Sequence, residues 1–143
     1  MMNEKVIKLF LRLALAAGFL SAVTDRYGIW GENFSSWGNW DTFLVYTQTI
    51  NPWAPKFLIP TIGIIATAAE IVFAICLIIG FKTKLFAQLS GLLLLIFALS
   101  MTFSIGVKSA LDYSVFVASA AAFSLSLIKV KFLELDEYII IES

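Results

Sequence analysis

The sequence predicts an all-α membrane protein: an antiparallel bundle of four transmembrane helices with a tryptophan-rich outer loop that carries a short interfacial helix. Three observations lead there. Of 143 residues, 60% are hydrophobic and 14% charged, a balance foreign to soluble domains and ordinary for polytopic membrane proteins. Four apolar segments, at about 6–23, 57–79, 85–105 and 111–128, are separated by polar or glycine-bearing breaks. Basic residues also sort by loop. Lys5, Lys8, Arg12, Lys82, Lys84, Lys129 and Lys131 fall on one side, and Arg26, Lys56 and Lys108 on the other. The positive-inside rule then puts both termini in the cytoplasm.

The first segment, Val6–Val23, is interrupted by Lys8 and Arg12, and its uninterrupted part, Leu13–Val23, has the length of a signal-peptide core. It is read as a retained helix. It runs straight into Asp25 and Arg26, and Ala14, Gly18 and Ala22 recur every four residues, as helices that pack closely in lipid require. The long loop, Thr24–Lys56, holds all four tryptophans. Within it, GNWDTFLVYTQTINPW reads as a short amphipathic helix, capped by Asn39 and ended by Asn51–Pro52, with Trp40, Phe43, Leu44 and Thr47 on one side. Tryptophan favours the membrane–water boundary, so the loop is expected to lie across the outer end of the bundle.

The second segment, Phe57–Ile79, is uncharged except for Glu70, which Ala66 and Ala74 flank one turn away on each side. The hairpin GFKTK follows, with Gly80 as a natural helix stop. The third segment, Leu85–Ile105, joins the fourth, Leu111–Ile128, through the short Gly106–Ala110, with Asp112 as a candidate N-cap. Ser114, Ala118, Ala122 and Ser126 form a second small-residue stripe. One domain spans 1–131. Residues 132–143 turn acidic and are expected to form a cytoplasmic tail, in which EYIIIE suits a short strand or a partner contact.

Composition also excludes chemistry. The ten basic and ten acidic residues cancel, so no nucleic-acid footprint exists. Histidine is absent and Cys76, inside an apolar helix, is the lone cysteine. A cofactor held through protein metal ligands, a Ser–His–Asp triad and an intramolecular disulfide are therefore excluded. No glycine-rich phosphate loop occurs.

Glu70 is the most informative residue. At about 1.5 Å per residue its segment is ~34 Å long, and a carboxylate near the middle of a span costs roughly 2.5 kcal/mol or more. It must be paired, protonated or used. By the same rise, Arg12 lies within ~5 Å of it in depth, so a structural ion pair between Arg12 and Glu70 is the simplest solution. The alternatives are Arg12 reaching alone to the headgroups, and Glu70 as a catalytic, proton-handling group. A second cluster gathers at the outer end, where Asp25, Arg26, Lys108, Asp112 and Tyr113 converge under the tryptophan loop. Arg26, Asp112, Tyr113 and Trp40 are candidates for a pocket that takes a quinone headgroup or a small anion; interfacial charges and a helix cap are the plainer reading.

LRLALAAGFLSAVTDRYGIWG, then GNWDTFLVYTQTINPW, then ATAAEIVFAICLIIGFKTK, then GLLLLIFALSMTFSIGVKSALDYSVF together resemble the DoxX family of small bacterial membrane proteins. The resemblance rests on Arg12, Glu70, the GFKTK hairpin and the outer Gly-Asn-Trp element, and reaches to about Ile128. It implies four transmembrane helices and an association with membrane redox chemistry. Relatives include the small subunit of a thiosulfate:quinone oxidoreductase and a membrane partner of thiol and superoxide detoxification. The expected function is a subunit or accessory of a quinone-linked redox system in the lipid bilayer, with quinone as the cofactor and another redox subunit or a second copy as partner. The alternative is a non-catalytic membrane anchor for a soluble enzyme. A solute carrier fits less well, since neither an internal repeat nor a broken midplane helix is evident.

Overall fold

The computed structural model describes residues 3–139. The described residues form helices joined by turns and loops, with no strand among them. Helix α1 spans Glu4–Asp25, α2 Trp40–Ile50, α3 Ile59–Ile79, α4 Thr83–Ile105, α5 Val107–Asp112 and α6 Val115–Leu127; short 3-10 turns occupy Lys56–Leu58 and Leu135–Glu137.

Three stretches are long and apolar enough to cross a membrane: Glu4–Asp25, Lys56–Ile79 and Thr83–Ile105, with mean hydropathies of 2.0, 2.6 and 2.0. Helix α6 is equally apolar but has only 13 residues. Their outer faces expose Phe10, Ile64, Ile65, Val72, Leu92 and Phe103. Such a surface is suited to hydrocarbon, not water.

Local chemistry starts and stops each helix. Asn3 caps α1 by accepting from the Lys5 N–H, and Asn39 caps α2 by accepting from Thr42 N at 2.8 Å, as expected from the sequence. Pro60 sits in the first turn of α3, where its missing N–H costs nothing. Gly80 ends α3 at φ 72°, and an added Cβ there would collide with the backbone of Glu134.

Helices α1, α3, α4 and α6 close into a ring, with α2 laid across α3 and α4. The core at its centre joins Leu15 and Phe19 of α1, Ala74 and Leu77 of α3, Ala87 of α4 and Leu125 of α6. Helices α4 and α6 pack most closely, because Gly91 lets the Phe123 ring lie against the α4 backbone and Ser119 Oγ donates to Gly91 O at 2.8 Å. Gly63 plays the same part for α2: a Cβ there would meet Leu44 at 2.8 Å and Phe43 at 3.2 Å. The seam between α1 and α6 is much sparser.

Two expectations need correction. The short connection 106–110 is not a loop but the start of α5, and the fourth apolar segment is broken. Ser114, at φ 56°, turns the chain between α5 and α6. Asp112 therefore caps nothing. It ends α5 on the surface and pairs with Lys108 one turn back, at 2.6 Å. The described part of the tail packs against the bundle. Residues 129–139 fold back under the α3–α4 hairpin. Asp136 accepts from the backbone N–H groups of Lys82 and Thr83 at 2.7 and 2.9 Å, and Glu134 is buried. The free N–H groups of the α4 N-terminus draw a carboxylate to them. The acidic character of the tail thus serves the helix start. Half of EYIIIE, residues 140–142, lies outside the described residues.

Candidate functional site

Arg26 follows the last residue of α1, and its side chain turns inward onto α3. The guanidinium forms an ion pair with Glu70 through Nη1, and the same nitrogen donates to Thr67 Oγ1 at 2.6 Å. Thr67 lies one turn before Glu70, so both present oxygens on one face of α3. All three side chains are buried, Glu70 at 2% exposure and Arg26 at 3%. Aromatic rings complete the enclosure. The guanidinium carbon lies 4.0 Å from the centre of the Phe43 ring and 5.5 Å from that of Trp37. A desolvated cation over ring faces gains about 2 kcal/mol.

Asp25 positions this arrangement from behind. Its Oδ2 accepts from the N–H groups of Ser36 and Trp37 at 2.9 and 3.1 Å, tying the loop back over the end of α1. Gly28 and Gly38 adopt positive φ where the loop crosses itself, and a Cβ on Gly28 would press to 2.9 Å from Gly38 O. The loop therefore holds Trp37 against Phe43 and Tyr46, at ring separations of 5.2 and 5.6 Å.

A cavity of about 1140 Å³ opens beside the ion pair. Helices α1, α2, α3, α4 and α6 all contribute to its wall, which is mainly apolar. Arg26, Glu70, Asp25 and Tyr46 supply its polar end. Burial, and secondarily the Tyr113 phenol, push the Tyr46 phenol above its ordinary range. The Nε of Arg26 and the Oδ1 of Asp25 are buried and have no hydrogen-bond partner among the described residues. A polar ligand atom is what such groups lack.

The expected pairing of Arg12 with Glu70 is not the one formed. Arg12 lies at the opposite end of the bundle and is fully buried. Its Nε donates to Leu77 O and its Nη2 to Ile78 O, both at 2.8 Å; Nη1 donates to Phe132 O and Leu133 O at 2.9 and 3.0 Å. Lys8 adds an ion pair to Glu134 at 2.8 Å and a hydrogen bond to Val130 O at 2.7 Å. The physical reason is the unfilled carbonyls at the end of α3, which need donors: the five N–H groups of the guanidinium supply them, and Glu70 lies two turns further back along the helix.

The candidate pocket residues divide. Arg26 and Tyr113 both line the cavity, Tyr113 with most of its surface exposed. Asp112 does not line it. Trp40 does not line it either: it stacks on Tyr27 at 6.2 Å and tilts against Phe43 at 5.3 Å, supporting the wall from behind. Thr67, Phe43 and Tyr46 were not singled out as site residues. The signals were present, since Thr67 shares a helix face with Glu70 and Phe43 lies on the apolar side of α2. Among the described residues, no three His, Cys, Asp or Glu side chains converge as metal ligands.

Compared with known proteins, the chain matches no family model, no curated protein and no solved structure.

Proposed function

We propose that this chain is a DoxX-like, multi-pass protein of the bacterial inner membrane, with both termini cytoplasmic, that serves as subunit or accessory of a quinone-linked redox system. In this reading α5 and α6 together make the fourth crossing. The observation that carries it is the wide apolar cavity ending at a buried Arg26–Glu70 pair. Apolar walls with a few convergent polar groups are the usual form of a small-molecule site. Quinone, when bound, supplies the electron-carrying chemistry. Arg26 Nε would donate a hydrogen bond to a ring carbonyl, with the phenols of Tyr46 and Tyr113 bordering the head and the rings of Trp37 and Phe43 keeping water out. Glu70 handles protons. Its protonation leaves the Arg26 charge without a counterion, so proton uptake at Glu70 and the grip of Arg26 on the ligand are coupled.

Organic extraction of the purified protein followed by mass spectrometry tests this. Co-purifying quinone, and a higher unfolding temperature on adding quinone, are expected. Absence of both would remove the proposal.

A second reading, a non-catalytic anchor for a soluble enzyme, is favoured by the other end of the molecule. There Lys8, Arg12 and Glu134 fix the C-terminal segment into a defined face. Affinity capture with a crosslinker in membranes, against a variant lacking residues 132–143, tests it; an identical set of captured proteins would count against it.

A further inference from the structure

The cavity is much longer than a headgroup needs. Its wall follows α1 from Leu11 to Asp25, ~21 Å at the helical rise of about 1.5 Å per residue. Its volume, about 1140 Å³, exceeds that of pockets for drug-sized molecules, roughly 300–1,000 Å³. The polar groups lie at one end only; the remainder runs along the sparse seam between α1 and α6.

The stripe of Ala14, Gly18 and Ala22 borders this space, where close helix packing was expected. A Cβ built on Gly18 meets nothing within 4 Å. Ala118 of α6 borders the same space. The stripe thus lines an open apolar groove, with Ala14 and Gly18 exposed, and does not seal the seam. Arg26 and Asp25, each with an unpartnered buried polar atom, stand at the head of that groove.

Charge limits the head. Asp25, Arg26 and Glu70 sum to one negative charge when ionised, so a phosphate or other anion is repelled, whereas an uncharged group that accepts from Arg26 Nε is accommodated.

We infer that the cavity takes an uncharged polar head on a long hydrocarbon tail, with the tail laid along the Ala14–Gly18–Ala22 groove against α6 and Gly18 keeping its path open. The inference rests on the cavity being a ligand site, as in the preceding section; quinone is one member of the class. It makes Gly18 and Ala118 specificity-determining positions for tail length.

The test uses full-length protein in detergent and three probes: a long-tailed isoprenoid quinone, its tailless ring analogue, and a long-chain anionic phosphatidylglycerol. Affinity is read by thermal shift and fluorescence quenching. The wild type should bind the long-tailed quinone at least tenfold tighter than the tailless ring. Gly18→Leu and Ala118→Leu should reduce that ratio to near one while leaving the tailless ring within about twofold. Val72→Leu, on an exposed face away from the cavity, is the folding control and should keep the wild-type ratio.

Equal wild-type affinity for both quinones overturns the tail inference and leaves the quinone reading standing. If neither quinone binds, a long-chain alcohol is tried. Binding that Gly18→Leu abolishes keeps this inference and ends the quinone reading. Preferential binding of phosphatidylglycerol overturns the inference, as does a change in oligomeric state in Gly18→Leu, which would make the groove a seam between copies.

Discussion

The centre of the Phe43 ring lies 4.0 Å from the Arg26 guanidinium carbon, while Nη1 of the same guanidinium holds the Glu70 carboxylate. One residue just past the end of α1 thereby ties α2 to α3. Removing either charge leaves the other buried alone, which costs about 3–5 kcal/mol for an enclosed pair. Glu70→Gln, whose amide oxygen still accepts, should lose less than Glu70→Ala. Replacing both charges, as in Arg26→Met with Glu70→Leu, should recover most of the stability and none of the ligand binding. Thermal unfolding in detergent alongside quinone titration separates the two effects; a double variant that still binds would show the pair to be structural only.

Arg12 should prove irreplaceable by lysine. It satisfies four backbone carbonyls, from Leu77, Ile78, Phe132 and Leu133, and a single ammonium cannot span both pairs. Arg12→Lys is expected to destabilise by about 2 kcal/mol or more, by the cost of buried acceptors left unmet. Limited trypsin digestion would register it as faster cleavage after Lys129 and Lys131. Unchanged cleavage would mean that Lys8 alone holds the segment.

Gly91 and Gly18 should respond oppositely to alanine. A Cβ on Gly91 falls 2.9 Å from the Phe123 ring, so Gly91→Ala should cost about 1–3 kcal/mol through overpacking. Phe123→Ala in the same chain should relieve part of that loss. At Gly18 nothing lies within 4 Å, and alanine should be neutral or stabilising by about 0.5–1 kcal/mol. Paired melting curves of the two variants decide it.

Tyr46 gives the protein an alkaline limit. Burial raises its folded pKa above the unfolded value, so the folded state keeps its proton longer. The associated stability is complete below the unfolded pKa of about 10 and is lost as pH rises through the folded value. Tyr46→Phe should therefore show a shallower fall in melting temperature above about pH 10 than the wild type, with little difference at pH 7. Parallel curves would assign the alkaline loss to the lysines.

The helical fold was legible because its signals are local. Hydropathy marks the three long spans; Asn39, Gly80 and Pro60 mark starts and stops. The broken fourth segment was not legible, because Ser114 looks like part of a small-residue stripe until its left-handed backbone is seen. Of the site, the burial of Glu70 was readable, but its partner was not. Depth along separate helices compares Arg12 and Glu70 as if both helix ends were flush. It ignores that a side chain past the end of α1 can fold back, and that α3 ends in carbonyls needing donors. The Ala14–Gly18–Ala22 repeat shows the same ambiguity, since small side chains permit close approach but do not compel it.

The enclosure of Lys8 and Arg12 by Val130, Phe132, Leu133 and Glu134 joins residues more than a hundred positions apart. At a translation rate of about 5–20 residues per second, some ten seconds or so pass between the emergence of those cations and of their acidic partner. During that interval the first helix carries two positive charges with no intramolecular counterion from Glu134, and water or lipid headgroups must solvate them. A chain halted before residue 134 would therefore hold both cations of α1 without this counterion, and Glu134, once made, offsets one of the two charges.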